Sequence, residues 1–147
     1  RGSRRSSWSV ASVVYKRPLV ASAAWFDRAA RNDHAQAQLQ LGGMYEKGQG
    51  VKRDLGAARH LYELSAKGGN LGGQIKYTEA LANGTGGKQD LPEAYVYAES
   101  AASAVASNTP GAKLAIQLRD DLVKTMTSEQ LAEGKKRLAT AKKSANN

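Results

Sequence analysis

The apolar residues of this chain recur every three or four positions, which is the period of an α-helix packed on one side. Between residues 35 and 69 they form two such stripes. The first stripe is Ala37, Leu41, Met44 and Tyr45, and the second is Leu55, Ala58, Leu61, Tyr62 and Ala66. Glycines and polar residues separate the stripes, so this stretch predicts two helices folded back on each other.

The residue types between the stripes predict the turn. Gly48 can end the first helix in the left-handed conformation that glycine adopts without steric cost. Val51 is the apolar residue available to fill the interior below the loop, and Asp54 can cap the second helix by accepting from its first free amides. Gly42 and Gly43 lie inside the first helix, where each costs roughly 1 kcal/mol relative to alanine. We therefore expect another helix to approach closely there.

The same pattern returns after 36 residues. The matched pairs are Gly48 and Gly84, Asp54 and Asp90, Ala58 and Ala94, Ala66 and Ala102, and, toward the N-terminus, Leu61 and Trp25, Tyr62 and Phe26, Ala66 and Ala30. A fixed period of this length is typical of solenoids of stacked helix pairs. Pro18 aligns with Asp54, so the period predicts that Pro18 opens a helix over Leu19 to Arg31, with Trp8 in a degraded first helix before it.

These residues resemble the Sel-one-like repeat family, which is related to the tetratricopeptide repeats. The resemblance is carried by Ala37, Leu41-Gly42, Tyr45, Gly48-Gln49-Gly50-Val51, Asp54, Ala58, Tyr62, Ala66 and Gly69. It is close over residues 35–69 and looser over 71–102. It implies an all-α fold, an α-solenoid of antiparallel helix pairs in a right-handed superhelix.

The repeat divides the chain into three parts. Residues 1–17 are expected to be partly disordered or a remnant of a truncated helix. Residues 18–143 are expected to form one α-solenoid domain, with a partial repeat at 18–34, repeats at 35–70 and 71–106, and a C-terminal capping helix pair at 110–143. Thr127 and Gln130 predict a capping box at the last helix. Residues 144–147 are expected to be a frayed tail.

The net charge of +9 is concentrated at the two ends of the chain. Residues 1–20 hold five cations and no acid, residues 21–123 are neutral overall, and residues 124–147 carry a net charge of +4. A basic protein raises the hypothesis of nucleic-acid binding. Because the expected folded part is neutral, solvated tails and a helix end that complements its dipole explain the charge better.

Catalytic and metal-binding motifs are not found in the sequence. The chain has no cysteine, and His34 and His60 lack further ligands at metal-site spacing. Asp120 and Asp121 are sequential and point to different helix faces, which makes them poor partners for acid–base catalysis. The Gly84 to Lys88 stretch lacks the Ser or Thr and the preceding strand of a phosphate loop. We therefore predict no enzyme activity, no catalytic residue, no cofactor and no metal.

The predicted binding site is a row of surface residues on the first helices of the two repeats. The row consists of Gln36, Gln40, Gly43 and Lys47 and their 36-residue equivalents Gly72, Lys76, Glu79 and Asn83. In stacked repeats the two sets should line the inner, concave wall, where solenoids hold peptides or other proteins. Residues of the second helices such as Arg59 and Glu63 are expected to point outward.

These observations favour a protein–protein interaction module, an adaptor or scaffold without enzyme activity. The family resemblance implies a bacterial cell-envelope or secretion-related system, with a periplasmic or envelope location and a cytoplasmic one as the alternative. A sharper hypothesis is an immunity protein that neutralises a secreted effector. The alternative function is a basic-tailed binder of nucleic acid or an anionic surface. No apolar run approaches the roughly 18–20 residues that span a bilayer.

Overall fold

The computed structural model describes the backbone of residues 8–104 and 108–146 and, within these ranges, the side chains from residue 17 onward. Helices and their connections make up this part of the chain, without any β-strand, which confirms the predicted all-α fold. The helices are α1 (Trp8–Ala30), α2 (Ala35–Lys47), α3 (Leu55–Lys67), α4 (Leu71–Asn83), α5 (Leu91–Ser103), α6 (Pro110–Thr125) and α7 (Ser128–Ala145).

Helix α1 differs from its prediction. It runs without interruption from Trp8 through Pro18 to Ala30, so the prediction that Pro18 opens a separate helix is wrong. A proline inside a helix removes one backbone hydrogen bond. The missing amide is the one that would donate to the carbonyl of Val14, and the helix continues past this gap. The predictions for residues 1–7, for the end of the second repeat at 105–106 and for residue 147 of the tail lie outside the described residues. Residues 144 and 145, predicted to belong to the frayed tail, are part of α7.

The two repeats are antiparallel helix pairs, α2 with α3 and α4 with α5. Their turns have the predicted chemistry. Gly48 and Gly84 both end a first helix at φ 69°. The Asp54 carboxylate accepts from the amide of Ala57 at 2.9 Å, and the Asp90 carboxylate accepts from the amide of Glu93 at 3.0 Å. The repeat thus fixes where each helix ends and where the next begins.

A second loop glycine connects successive pairs. Gly50, at φ 72°, lies against the carbonyl of Leu19 in α1, and its equivalent Gly86, at φ 71°, lies against the carbonyl of Leu55 in α3. A Cβ atom at either position would overlap that carbonyl group. Each glycine loop therefore packs directly on the helix of the preceding pair, as stacking requires.

The core lies between the helices of the two repeats. Tyr62, Tyr77, Leu81 and Tyr95 are buried in its main cluster, and alanines fill the narrow places between helices. Val51 packs against the second cluster, which joins α1 to α2, as predicted for this loop residue. Close helix stacking thus depends on small residues, with a few large aromatic side chains as the centres of packing.

The two C-terminal helices both pack mainly against α5 rather than against each other. Helix α7 begins with the predicted capping box of Thr127 and Gln130. Its buried Gly134 lies against the ring of Tyr95, and Arg137 forms ion pairs with Asp90 at 3.0 Å and Glu93 at 3.3 Å.

Helix α6 also contacts α4, and α4 contacts α2. The helices α2, α4 and α6 therefore form a row on one side of the molecule, which we call the first-helix face. In the described part of the chain, every helix is either too short or too polar to span a bilayer.

Candidate functional site

A cleft opens on the first-helix face between α2 and α4, with α3 behind it. Leu55, Ala58 and Ala80 supply its apolar lining. The polar lining comes from three helices and one loop, and consists of Glu46 from α2, Arg59 and Tyr62 from α3, Lys76, Glu79 and Asn83 from α4, and Thr85 from the loop after α4. The stacking of two repeats thus brings together side chains that are up to 39 positions apart in the sequence.

Tyr62 connects the core to this cleft. Its ring is buried against Gly42, and its hydroxyl donates to Oε2 of Glu46 at 2.7 Å. Burial raises the pKa of the Tyr62 hydroxyl well above its usual value, and the hydrogen bond to Glu46 raises this pKa further. The phenol therefore stays protonated and holds the Glu46 carboxylate in position at the edge of the cleft.

The other charged groups of the cleft are more open to solvent. Lys76 Nζ lies 3.2 Å from Oε2 of Glu79, and both side chains remain about two-fifths exposed. Arg59 Nη1 lies 3.5 Å from the carbonyl oxygen of Thr85. Exposed ion pairs contribute at most about 1 kcal/mol to stability, so these groups can exchange internal partners for those of a ligand at little cost.

The size of the cleft indicates what it can hold. Its volume is about 90 Å³, well below the roughly 300–1,000 Å³ of pockets that enclose small molecules. Such a cleft accommodates part of one side chain. Among the described residues no group of His, Cys, Asp or Glu side chains could hold a metal ion.

A shallower groove follows one repeat further along the first-helix face, between α4 and α6. Its lining includes Ala82, Leu91 and Asp121, which are the 36-residue equivalents of Glu46, Leu55 and Thr85 in the cleft. Asn83 lines both depressions. The surface therefore continues from a charged cleft to a more apolar groove.

The structure places three of the eight predicted site residues, Lys76, Glu79 and Asn83, in the cleft. Gly43 lies beside it, because a Cβ atom there would be 3.9 Å from the Tyr62 hydroxyl. Gln40 and Lys47 are exposed on α2.

The other two predicted residues make contacts within the protein. Gln36 accepts from Nδ2 of Asn70 at 2.8 Å. Gly72 lies beneath the side chain of Leu39, where a Cβ atom would be 2.6 Å from Leu39 Cδ2. Gly72 thus lies in the packing between α2 and α4 rather than on an open surface.

Sequence reasoning missed four cleft residues, Glu46, Arg59, Tyr62 and Thr85. Arg59 was expected to point outward, and this expectation is wrong because Arg59 lines the cleft. The signal was present in the sequence. Leu55, Ala58, Arg59 and Tyr62 are spaced three and four residues apart, so they share one face of α3.

The fold and this surface define the class of protein as an α-solenoid of stacked helix pairs with a polar cleft between repeats. Comparison with known families then gives the particular family. The Sel1 repeat family model matches residues 20–34, 35–70 and 71–104, more than half of the chain, and the chain belongs to this family. Proteins of the Sel1 repeat family generally act as protein-interaction modules.

Two solved structures are similar to this chain. One is a protective antigen present in uropathogenic Escherichia coli strains that displays an SLR fold, with 25% identity, a TM-score of 0.69 and 79% of this chain covered. The chain spans only 24% of that protein. The other is a Sel1 repeat protein from Oxalobacter formigenes, with 21% identity, a TM-score of 0.58, and 89% of this chain and 61% of that chain covered. Comparison with curated protein sequences gave no match.

Proposed function

We propose that this chain is a non-enzymatic adaptor that holds a segment of a partner protein on the first-helix face, with the cleft as the centre of the site. The observation that carries the proposal is the cleft itself, in which two repeats present carboxylates, cations and an amide around an apolar floor. Solenoids of this kind bind extended segments on the inner surface that their curvature creates.

The chemistry of the cleft favours a peptide segment over a small metabolite. Its volume suits part of one side chain, and the groove beyond Asn83 offers a second position on the same face. Gln40 and Lys47 extend the polar surface along α2. A partner that crosses from α2 toward α6 would therefore meet one depression per repeat.

The partner can be identified by photo-crosslinking. A photoreactive amino acid at Gln40 or Lys76 should capture the partner in the source cell. The same amino acid at the exposed Glu129 should not, because Glu129 lies on α7, which is not one of the helices of the first-helix face. Equal capture from both positions would contradict the proposal.

The captured partner then allows a quantitative test. Lys76→Glu should weaken binding at least tenfold, because it removes a cation and places a third carboxylate beside Glu46 and Glu79. Lys135→Glu, on the exposed surface of α7, makes the same charge change and should leave binding unchanged. Lys135→Glu should keep the stability of the parent within about 0.5 kcal/mol, as exposed substitutions generally do. Lys76→Glu also loses its ion pair with Glu79 and should cost no more than about 1 kcal/mol. Equal affinities of the two variants would place the site elsewhere.

We further propose that the partner belongs to a bacterial cell-envelope or secretion-related system and that the chain acts in the periplasm or envelope. The similarity to the Escherichia coli protective antigen supports a bacterial setting. In the sharper form of this proposal, the chain is an immunity protein. Deleting its gene should then make the source cell sensitive to the secreted protein encoded beside it, and re-expression should restore resistance. Unchanged survival would contradict the immunity role and leave the adaptor role to the crosslinking test.

A further inference from the structure

A second surface, separate from the cleft, lies on α1. Six residues at spacings of three and four form a continuous exposed stripe, the α1 outer stripe, which consists of Arg17, Val20, Ala21, Ala24, Trp25 and Arg28. Trp25 is 75% exposed and Val20 is 54% exposed. An exposed tryptophan within an apolar patch rimmed by charge is typical of an interaction site.

The equivalents of Trp25 in the two full repeats are covered. Leu61, 36 residues later, packs in a cluster with Leu41 and Met44 of α2. Tyr97, after a further 36 residues, meets Tyr77 of α4 edge-on, with ring centroids 4.9 Å apart and an interplanar angle of 80°. In both repeats, therefore, the first helix of the pair covers this position of the second helix.

Helix α1 occupies the place of a second helix, but no described residue packs on it as a first helix. The residues before Pro18, from Trp8 onward, continue α1 instead of turning back along it. A shallow depression of about 200 Å³ lined by Ala24, Trp25 and Arg28 lies on the uncovered side. The surface therefore has the shape into which a helix packs elsewhere in this same molecule.

The charge of the α1 outer stripe indicates which kind of helix it can bind. Arg17 and Arg28 form no ion pair among the described residues, whereas Asp27 is already paired with Arg31 at 2.8 Å. Residues 1–20 contain five cations and no acid. A second copy of α1 would bring arginines against arginines, and an acidic helix would complement them.

We propose that the α1 outer stripe binds an acidic amphipathic helix of a partner protein, in the position that α2 and α4 take against α3 and α5. An apolar residue of that helix covers Trp25, and carboxylates on either side of it meet Arg17 and Arg28. These arginines are 11 residues apart, which is about 16 Å along the axis at 1.5 Å per residue. The matching acids are therefore about three helical turns apart.

The probe for this surface can be taken from the protein's own sequence. A peptide of residues 71–83 carries Tyr77, which covers the equivalent position in the second repeat. Isolated helices of this length are marginal in water, so the peptide is held helical by a side-chain crosslink. An acidic form carries Gly72→Glu, Lys76→Gln and Asn83→Glu, which places its outermost acids 11 residues apart. A matched basic form carries Gly72→Lys, Glu79→Gln and Asn83→Lys. Neither form contains tryptophan, so the tryptophan emission of the full chain reports binding.

The acidic peptide should bind saturably and shift the tryptophan emission to shorter wavelength, and the basic peptide should bind at least tenfold more weakly. Arg28→Glu in the chain should reverse this preference. Trp25→Ala removes the tryptophan at the site, so its affinity is measured by fluorescence anisotropy of a dye-labelled acidic peptide, and it should be at least tenfold weaker. Leu114→Ala removes another exposed apolar side chain, 50% exposed on α6, and should change nothing.

Three results would overturn the proposal. The first is equal affinity for both peptides, or no saturable binding of either. The second is self-association of the full chain that Trp25→Ala abolishes, because the stripe would then be an interface between two copies. The third is protection of Trp25 from acrylamide quenching in a longer natural form of the protein, because a helix of the same protein would then cover it.

Discussion

At the scale of single residues, Gly42 and Tyr62 show that the two repeats use different residue pairs where the first helix packs against the second. A Cβ atom at Gly42 would lie 2.6 Å from Cε1 of Tyr62. The equivalents one repeat later are Thr78 and Ala98, which are 0% and 1% exposed. A large residue on the second helix therefore faces glycine in the first repeat, and alanine faces threonine in the second.

This arrangement predicts opposite effects for two adjacent glycines. Gly42→Ala should destabilise the protein by about 1–3 kcal/mol, because overpacking against Tyr62 outweighs the gain in helix propensity. Gly43→Ala should be neutral or stabilising by up to about 1 kcal/mol, because the added Cβ atom would lie 3.9 Å from the Tyr62 hydroxyl oxygen, an ordinary contact distance. Urea denaturation of both variants measures the difference. Similar changes in both would show that the Tyr62 contact does not limit the site.

The same contact can be tested by introducing the residue pair of the second repeat at the equivalent positions of the first repeat. Gly42→Thr combined with Tyr62→Ala reproduces the Thr78 and Ala98 pair. The double variant should lose at least about 1 kcal/mol less stability than the sum of the single variants, since the two side chains share one space. Additive losses would contradict this explanation.

The predicted turn gives a further test at the residue scale. Asp54→Ala should cost about 1 kcal/mol, because the amide of Ala57 loses its acceptor. Gly48→Val should cost more, because valine strongly disfavours φ 69°. Asp121→Ala, an exposed carboxylate outside any cap, is the control and should stay within about 0.5 kcal/mol. Equal thermal unfolding midpoints for the parent, Asp54→Ala and Gly48→Val would refute the loop interpretation.

At the scale of whole elements, the 36-residue period predicted the helices of the repeats well and the two ends of the array less well. Within α2 to α5, stripes, caps and glycine turns all agree, so local preference and packing specify the same helices. At Pro18 the period predicts a helix start, but nothing in the sequence of α1 supplies a loop before it. Periodicity also does not reveal that α6 and α7 each pack on α5, since that choice is made by tertiary contacts.

The docking of α7 depends on one of these tertiary contacts. Gly134 is buried, and a Cβ atom there would lie 2.9 Å from Cδ1 of Tyr95 and 3.1 Å from the carbonyl oxygen of Pro92. Gly134→Ala should therefore loosen α7 even though alanine favours the helix by about 1 kcal/mol. Amide hydrogen exchange in α7 should become at least tenfold faster while exchange in α3 stays unchanged. Unchanged protection of α7 would show that the helix can shift to accept the methyl group.

At the scale of the whole molecule, the sequence predicted the face of the candidate site better than its centre. Alignment of the repeats predicted Lys76, Glu79 and Asn83 on one surface, and in the structure these three residues line the cleft. The alignment could not show that the side chain of Tyr62 crosses the core and donates to Glu46, because it treats α2 and α3 one at a time. A cleft between repeats is formed by the stacking of three helices, and a pattern read along one helix does not contain it.

The distribution of charge over the whole molecule determines which variant can test the alternative function, the binding of nucleic acid by the basic ends of the chain. Removing residues 135–147 would also remove Arg137, which forms ion pairs with Asp90, Glu93 and Glu133, and Leu138, which packs against the core. Loss of binding by such a truncation could then reflect loss of structure. Substitution of the exposed lysines of α7, namely Lys135, Lys136, Lys142 and Lys143, changes the charge and leaves these contacts in place.

The variant with glutamine at these four positions should keep the parent's unfolding midpoint and lose most of any affinity for duplex DNA. The parent itself should bind DNA only weakly, with an affinity that falls steeply between about 50 and 200 mM salt as counterions are released. Each lysine that contacts a phosphate contributes about 0.9 to the slope of log K against log salt, so the slope should fall by at most about 4 in the variant. Fluorescence anisotropy of a labelled duplex measures the affinity and its salt dependence. Tight binding that survives these four substitutions combined with glutamine at Arg1, Arg4, Arg5 and Lys16 would place nucleic-acid recognition in the folded repeats. Nucleic-acid binding would then be a better account of this protein than partner binding in the cleft.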